Sequence, residues 1–238
     1  MSIPTLAAAQ TLPVAGDVAA NLQEHLQFVE EAARKQVTTL VFPELSLTGY
    51  EREIAENLAF TEDDARVEPL REAAARHGMT IVAGAPVRMS TGLHIACFIC
   101  APGRSIDVYT KLYVHESESP FFQPGACNPL IRRDGMNAAV AICADANNPD
   151  HVARAVELDA NAYLVSAFFM PSGYPGDTQR LQSYARDHSM AVVLANFGND
   201  TSRFESAGGS AIWDADGNRI AYHEGKGRGL ISAEVQFR

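Results

Sequence analysis

Three residues of this chain carry side chains that do chemistry and sit at the ends of apolar runs. Cys143 closes the run 138–142, Glu44 follows the run 40–43, and Lys111 ends the segment 106–111. A thiol, a carboxylate and an ammonium that meet in one pocket supply a nucleophile, a proton carrier and an oxyanion partner. Each also has an ordinary structural explanation. Free cysteine is among the most buried residue types, Glu44 reads equally as a salt-bridged glutamate at a sheet edge, and Lys111 as a solvated hairpin lysine. Two features weigh against those explanations. A carboxylate among apolar neighbours is costly unless paired or functional. The residues after Cys143 read as a tight turn into a helix with Pro149 at its first position. A thiol on such a turn faces helix amides and the positive end of a dipole, which favours thiolate and points the Ala144 N–H toward an oxyanion.

The elements that must position these groups alternate along the chain. Strands are expected at 5–10, 38–42 and 80–85, with helices at 17–35 and 62–77 between them. In the first helix Val18, Leu22, Leu26, Val29 and Ala33 fall at helical spacing behind Asp17 as N-cap. Two hairpins follow, 93–100 with 105–113, and 130–133 with 136–142. A helix at 149–158, a strand at 162–166, a helix at 178–188 and a strand at 191–196 come next, and three short strands (209–213, 219–223, 229–234) close the chain. No linker or short-period repeat interrupts this order, so residues 1–238 read as a single mixed α/β domain. Helices interleaved with strands imply sheets covered by helices, and the hairpins make those sheets mixed.

Composition narrows the function classes. The chain has 238 residues, enough for a sizeable core at 47% hydrophobic residues, and a net charge of −10. A net negative surface argues against nucleic acid or an anionic membrane as partner. No apolar stretch reaches the roughly 18–20 residues of a membrane span. The N-terminus lacks a basic segment and reads as a first strand rather than a signal peptide. Four cysteines (Cys97, Cys100, Cys127, Cys143) in a chain this long do not form a disulfide framework, and a working thiol suits a reducing cytoplasm.

Other motifs are weaker. Cys97 and Cys100 make a CxxC inside a strand-like run, which favours core packing over redox or zinc chemistry. The histidines show no HExxH spacing, and there is no Gly-rich phosphate loop or G-x-S-x-G elbow. The pairs Phe121–Phe122 and Phe168–Phe169 are core residues by default and pocket walls as the alternative. His115, close to Lys111, reads as a loop histidine or a pocket residue.

Taken together, residues 42–50, 109–111 and 141–145 resemble the three signature blocks of the nitrilase superfamily of carbon–nitrogen hydrolases. Residues 118–125, 185–196, 206–212 and 214–217 resemble its supporting blocks, in the same order. The resemblance implies a four-layer α-β-β-α sandwich with two mixed sheets and the site at one end of them. It implies Cys143 as nucleophile, Glu44 as general base, Lys111 and the Ala144 amide as oxyanion partners, and Glu118 as a positioning carboxylate. Tyr50, His115, Phe122, Asn147, Phe168 and Phe169 are the candidate pocket residues. It also implies a small amide as substrate, hydrolysed through a thioester with release of ammonia, no metal or organic cofactor, and a homodimer. Ala144 stands where members often carry an aromatic residue, and Asn148 and Asp150 flank Pro149 where an aromatic and a glutamate are usual. Nitrile hydrolysis and N-carbamoyl hydrolysis use the same triad and stay open, as does a non-catalytic binding role on the same fold.

Overall fold

The alternation of apolar residues along the central strands dictates the architecture. In β1 (Thr5–Gln10), Leu6 and Ala8 face one way and Ala7 and Ala9 the other, and all four are buried. A strand buried on both faces must lie between two layers. The computed structural model, which describes residues 3–126 and 130–237, shows those layers. Cys127 lies outside the described residues.

The first sheet holds β1, β2 (Thr39–Val41), β3 (Thr80–Met89), β4 (Gly92–Cys100), β5 (Asp107–Thr110) and β12 (Gly229–Glu234), in the order β12-β1-β2-β3-β4-β5. The second holds β6 (Leu130–Arg133), β7 (Met136–Ile142), β8 (Ala162–Ser166), β9 (Ala191–Ala195), β10 (Ala211–Trp213) and β11 (Arg219–Tyr222), in the order β11-β10-β9-β8-β7-β6. Three central strands of each sheet run parallel and the flanking pairs are antiparallel. Leu6, Val41, Val82, Ile95, Val140, Leu164 and Val193 fill the seam between the sheets. The outer faces carry α1 (Val18–Arg34) and α3 (Glu68–His77) on one side. On the other lie α4 (Ala144–Asn147), α5 (Pro149–Glu157) and α6 (Tyr174–Asp187). A short α2 (Ala55–Leu58) lies between β2 and β3. This is the four-layer sandwich with mixed sheets.

The structure moves several expected boundaries. The helix expected over 62–77 is a 3₁₀ turn, Ala65–Val67, followed by α3. Pro69 in the first turn of α3 lacks an N–H to donate backwards, so the α-helix starts there. The helix expected from 178 starts at Tyr174, because Pro175 sits in the first turn, where it is tolerated. Asp17 caps α1 as expected, accepting from the Ala20 N–H at 3.0 Å.

Candidate active site

Glu44 sits in the turn that leaves β2, and close packing fixes that turn. A Cβ on Gly84 of β3 would lie 2.5 Å from the Leu45 nitrogen and 2.6 Å from the Pro43 oxygen, so only glycine lets the turn seat on the strand. His25 of α1 stacks on Phe42 with ring centroids 4.0 Å apart. Its Nδ1–H donates to the Asn21 carbonyl at 2.7 Å, leaving Nε2 to accept from the Ser46 hydroxyl at 2.9 Å. Burial lowers the pKa of His25 to about 4, which keeps this clamp neutral.

Lys111 follows β5, and its backbone is pinned on both sides. Its N–H donates to the Ile95 carbonyl, and its carbonyl accepts from Gly125 N–H at 2.7 Å. A Cβ on Gly125 would meet Thr110 backbone oxygen at 2.5 Å, so this glycine brings the segment carrying Glu118 back onto the strand end. The Lys111 Nζ then donates to Glu44 Oε1 at 2.7 Å and to both oxygens of Glu118, at 2.9 and 2.7 Å. All three side chains are buried. Glu118 also accepts from the Tyr50 hydroxyl at 2.5 Å and from the His115 N–H at 2.9 Å.

The two carboxylates on this one ammonium titrate in opposite directions. Burial and the charge of Glu118 raise Glu44 to about 7, against the pull of Lys111. For Glu118, burial is outweighed by Lys111 and by the Tyr50 and His115 donors, and its pKa is lowered. Lys111 stays protonated: burial works against its charge, but the carboxylates and the Cys143 sulfur raise its pKa. Glu44 Oε2 is buried and has no hydrogen-bond partner. The Cys143 thiol lies close enough to act on the Glu44 pKa. That oxygen is the free acceptor of the cluster.

Cys143 enters from the second sheet. It follows β7 with φ +45° and ψ −99°, a conformation that costs a non-glycine residue free energy, and packs against both the seam and the helix-side core. Its N–H donates to the Ser166 carbonyl at 3.0 Å, and its half-buried Sγ lies 3.8 Å from the Phe168 carbonyl oxygen. The helix after it begins at once, at Ala144, rather than only at Pro149: α4 is one turn, and Asn148 then caps α5. Ala144 is therefore the first residue of a helix, where leading N–H groups lack a partner within the helix. The expected thiolate is corrected. Burial, with Glu44 and Glu118 adding negative charge, raises the thiol pKa well above its usual value, and one turn of helix does not offset them. Cys143 rests as a neutral thiol, with Glu44, raised to about 7, as the neighbouring base.

Asp145, whose role is hidden in sequence, ties the two strand ends together. Its Oδ1 accepts from the N–H groups of Leu112 and Tyr113 at 3.0 and 2.8 Å. Its Oδ2 accepts from the Ile142 N–H at 2.9 Å and the Tyr109 hydroxyl at 2.6 Å. Behind it a buried chain runs through His151 Nε2, 2.9 Å from the Tyr109 oxygen, to His151 Nδ1, 2.7 Å from the Tyr163 hydroxyl. One carboxylate thus sets the loop of Lys111 against the turn of Cys143. Its position two residues after a candidate nucleophile is the one sequence signal that could have found it.

The remaining candidates divide. Tyr50, His115 and Phe168 line a cavity of about 70 Å³ together with Glu118 and Cys143. Phe122 packs in the seam between the sheets, and Phe169 points to the helix side, since neighbours on an extended chain face opposite ways. Asn147 ends α4 on the exposed side, where its Oδ1 accepts from Arg180 at 2.7 Å. Arg52, Ser117, Met170 and Phe204 also line the cavity, and sequence reasoning did not select them. Cys97 faces the seam and Cys100 the helix layer, so the CxxC pair is split across the sheet. Burial raises both thiols to about 12. Among the described residues no group of three or more His, Cys, Asp or Glu is gathered to hold a metal ion, and no helix is long and apolar enough to cross a membrane.

Fold and site together define a hydrolase of carbon–nitrogen bonds. The family description "Carbon-nitrogen hydrolase" matches residues 5–238, and the chain belongs to that family. It is 26% identical over 227 residues to the 2-oxoglutaramate amidase of Bacillus subtilis, covering 94% of this chain and 87% of that one. It is 25% identical to the glutamine-dependent NAD(+) synthetase of Thermotoga maritima, covering 90% of this chain but only 39% of the synthetase. The fold superposes on that of the Nesterenkonia AN1 amidase from the nitrilase superfamily with a TM-score of 0.88, at 21% identity, over 99% of this chain and 92% of that one.

Proposed function

We propose that this chain hydrolyses a small non-peptide amide through a thioester on Cys143. The observation that carries the reading is the pairing of a neutral, half-buried thiol with Glu44, whose pKa of about 7 and unpartnered oxygen suit it to take one proton and return it. Cys143 Sγ attacks the carbonyl carbon as its proton moves to Glu44. Lys111 Nζ and the Ala144 N–H hold the oxyanion. The C–N bond then breaks, ammonia leaves with the proton from Glu44, and the acyl group stays on sulfur. Water gives a proton to Glu44 and attacks the thioester. The C–S bond breaks, the acid departs, and Glu44 returns the proton to sulfur. Glu118, held by Tyr50 and His115, keeps Lys111 charged and in place, and the chemistry needs no cofactor.

Intact-mass measurement during turnover tests this directly. Cys143 should gain the mass of the amide less ammonia, and Cys143→Ala should gain nothing. Turnover by Cys143→Ala at the wild-type rate would sink the reading. We further read residues 1–238 as one domain, supported by β12 pairing with β1 and the Val235 N–H bonded to Pro4. Two resolved unfolding transitions would contradict that. The homodimer follows from the family resemblance, and a monomer mass in sedimentation would remove it. A reducing, cytoplasmic setting fits the three free thiols described here, and recovery of the protein from an oxidising compartment would count against it.

A further inference from the structure

The buried chain behind Asp145 fixes the order of its own protons. With three backbone N–H groups on its two oxygens, Asp145 is an acceptor, so the 2.6 Å contact with Tyr109 carries the phenol's own proton. Tyr109 has no second proton to give, and the 2.9 Å contact between its oxygen and His151 Nε2 therefore needs a proton on that nitrogen. Burial lowers the pKa of His151 against the pull of Asp145, which keeps the ring neutral. Nδ1 is then bare, and the Tyr163 hydroxyl at 2.7 Å donates to it. The chain runs from Tyr163 to His151 to Tyr109 to Asp145, with a donor meeting an acceptor at every step. It also crosses the layers. Tyr163 belongs to β8 of the second sheet, His151 to α5 outside it, and Tyr109 to β5 of the first sheet. All three side chains are buried. The rings of Tyr109, Tyr113 and Tyr163 stand edge-on to the imidazole, with centroids 6.2, 6.3 and 5.6 Å away. An apolar ring could fill the space between them, but it would strand the Tyr163 proton and leave the Tyr109 hydroxyl without its donor.

We propose that His151, as its Nε2–H tautomer, is a positioning residue of the active site, setting through Tyr109 and Asp145 the separation of Lys111 from Cys143. This rests on the reading that Lys111 and Cys143 act on one carbonyl, and it adds a residue that touches none of the reacting atoms. Asp145 Oδ1 holds the N–H groups of Leu112 and Tyr113, directly after Lys111, and Oδ2 holds the N–H of Ile142, directly before Cys143. The plane of that carboxylate therefore sets how the two loops meet. The Tyr109 hydroxyl steadies the plane at Oδ2. A phenolic O–H turns about its C–O bond, and the His151 N–H on its oxygen aims the proton at Asp145. His151 also packs on the ring of Tyr113, two residues past Lys111. Misplacing an oxyanion donor costs most where charge develops, in the transition state. Loss of His151 should consequently appear in kcat and spare KM.

The test follows kcat and KM of the full-length protein on propanamide. His151→Phe should lower kcat by about 10- to 100-fold and leave KM within about 3-fold. His151→Gln, which keeps an N–H donor toward Tyr109, should recover most of that loss. Tyr109→Phe should lower kcat to a similar extent, and adding His151→Phe to it should cost no more than about 2-fold further, because both act along one chain. Losses that multiply, or no advantage of His151→Gln over His151→Phe, overturn the proposal. If His151→Phe fails to fold, the wild type still decides. Nitrogen-15 spectra of the histidine-labelled protein at neutral pH should show His151, assigned by its loss in His151→Gln, protonated on Nε2 and bare on Nδ1. A proton on Nδ1, alone or together with Nε2, overturns the proposal. No ammonia from propanamide would bear on the amidase reading instead. Alkylation of Cys143 by iodoacetamide then takes the place of turnover: it should be slower in His151→Phe and restored in His151→Gln, and equal rates overturn the proposal.

Discussion

The two sheets share one wiring and differ in what their strand ends carry. Read as β12-β1-β2-β3-β4-β5 and β6-β7-β8-β9-β10-β11, both run antiparallel, parallel, parallel, antiparallel, antiparallel from neighbour to neighbour. In the first sheet Glu44 lies three residues past β2 and Lys111 directly follows β5. At the same offsets their counterparts β8 and β11 lead to Phe169 and His223. Cys143 directly follows β7, while Thr11 directly follows its counterpart β1. The first sheet therefore holds the buried ionic apparatus, and the second holds the nucleophile on a strained turn. The difference teaches that topology offers equivalent strand ends and that side chains at those ends decide which become a site. It also means that no half is competent alone. The base and its thiol meet only across the seam, which is bridged by Asp145 and by the Ser166 hydroxyl on the Phe42 carbonyl at 2.8 Å.

The largest expected effects test whether the halves divide the chemistry in this way. Cys143→Ala, in the second sheet, should lower ammonia release by about 10⁴-fold or more while leaving the fold intact by circular dichroism. Glu44→Gln, in the first sheet, should cost about 10³-fold and alter the pH profile. In the wild type kcat/KM should rise with pH through about 7, as Glu44 becomes the free base, and that limb should vanish in the variant. Stability runs the other way. The folded pKa of Glu44 lies above its unfolded value of 4.5, so its contribution is complete below 4.5 and is lost as pH rises through about 7. Chemical denaturation should then show Glu44→Gln gaining on the wild type by a few kcal/mol, on the order of 3, between pH 4 and pH 8.

Smaller effects probe the bridge between the sheets. Asp145→Asn replaces one acceptor oxygen by an NH₂ group facing N–H or O–H donors. It should cost about 2–4 kcal/mol of stability in urea and about 100-fold in kcat. Gly84→Ala should cost about 2–3 kcal/mol by overpacking, and its activity loss should exceed what the unfolded fraction explains, because the displaced turn carries Glu44. Cys97→Ala removes one buried sulfur from the seam and should cost about 1 kcal/mol with turnover within a few-fold of wild type. A large loss of turnover in Cys97→Ala would give that thiol a role in the site.

The amino-acid order by itself determined the layers, because period-two burial on both faces of β1, β7, β8 and β9 leaves no arrangement except sheets packed between other elements. It also marked Cys143, Glu44 and Lys111, since reactive side chains at the ends of apolar runs are costly to place without a reason. It missed the places where a local signal is ambiguous: proline can open a helix as well as end one, which moved the starts of α3 and α6, and alternation alone does not say which phenylalanine of a pair faces a cavity. Only the tertiary structure decided the protonation states and the partners. A helix turn after Cys143 predicts a thiolate, but burial between two carboxylates outweighs one turn of dipole and keeps the proton on sulfur. Asp145 and His151 are unremarkable in sequence for the same reason. What an acid or an imidazole does depends on which donors and acceptors lie within about 3 Å of it, and those are set by strands far apart in the chain.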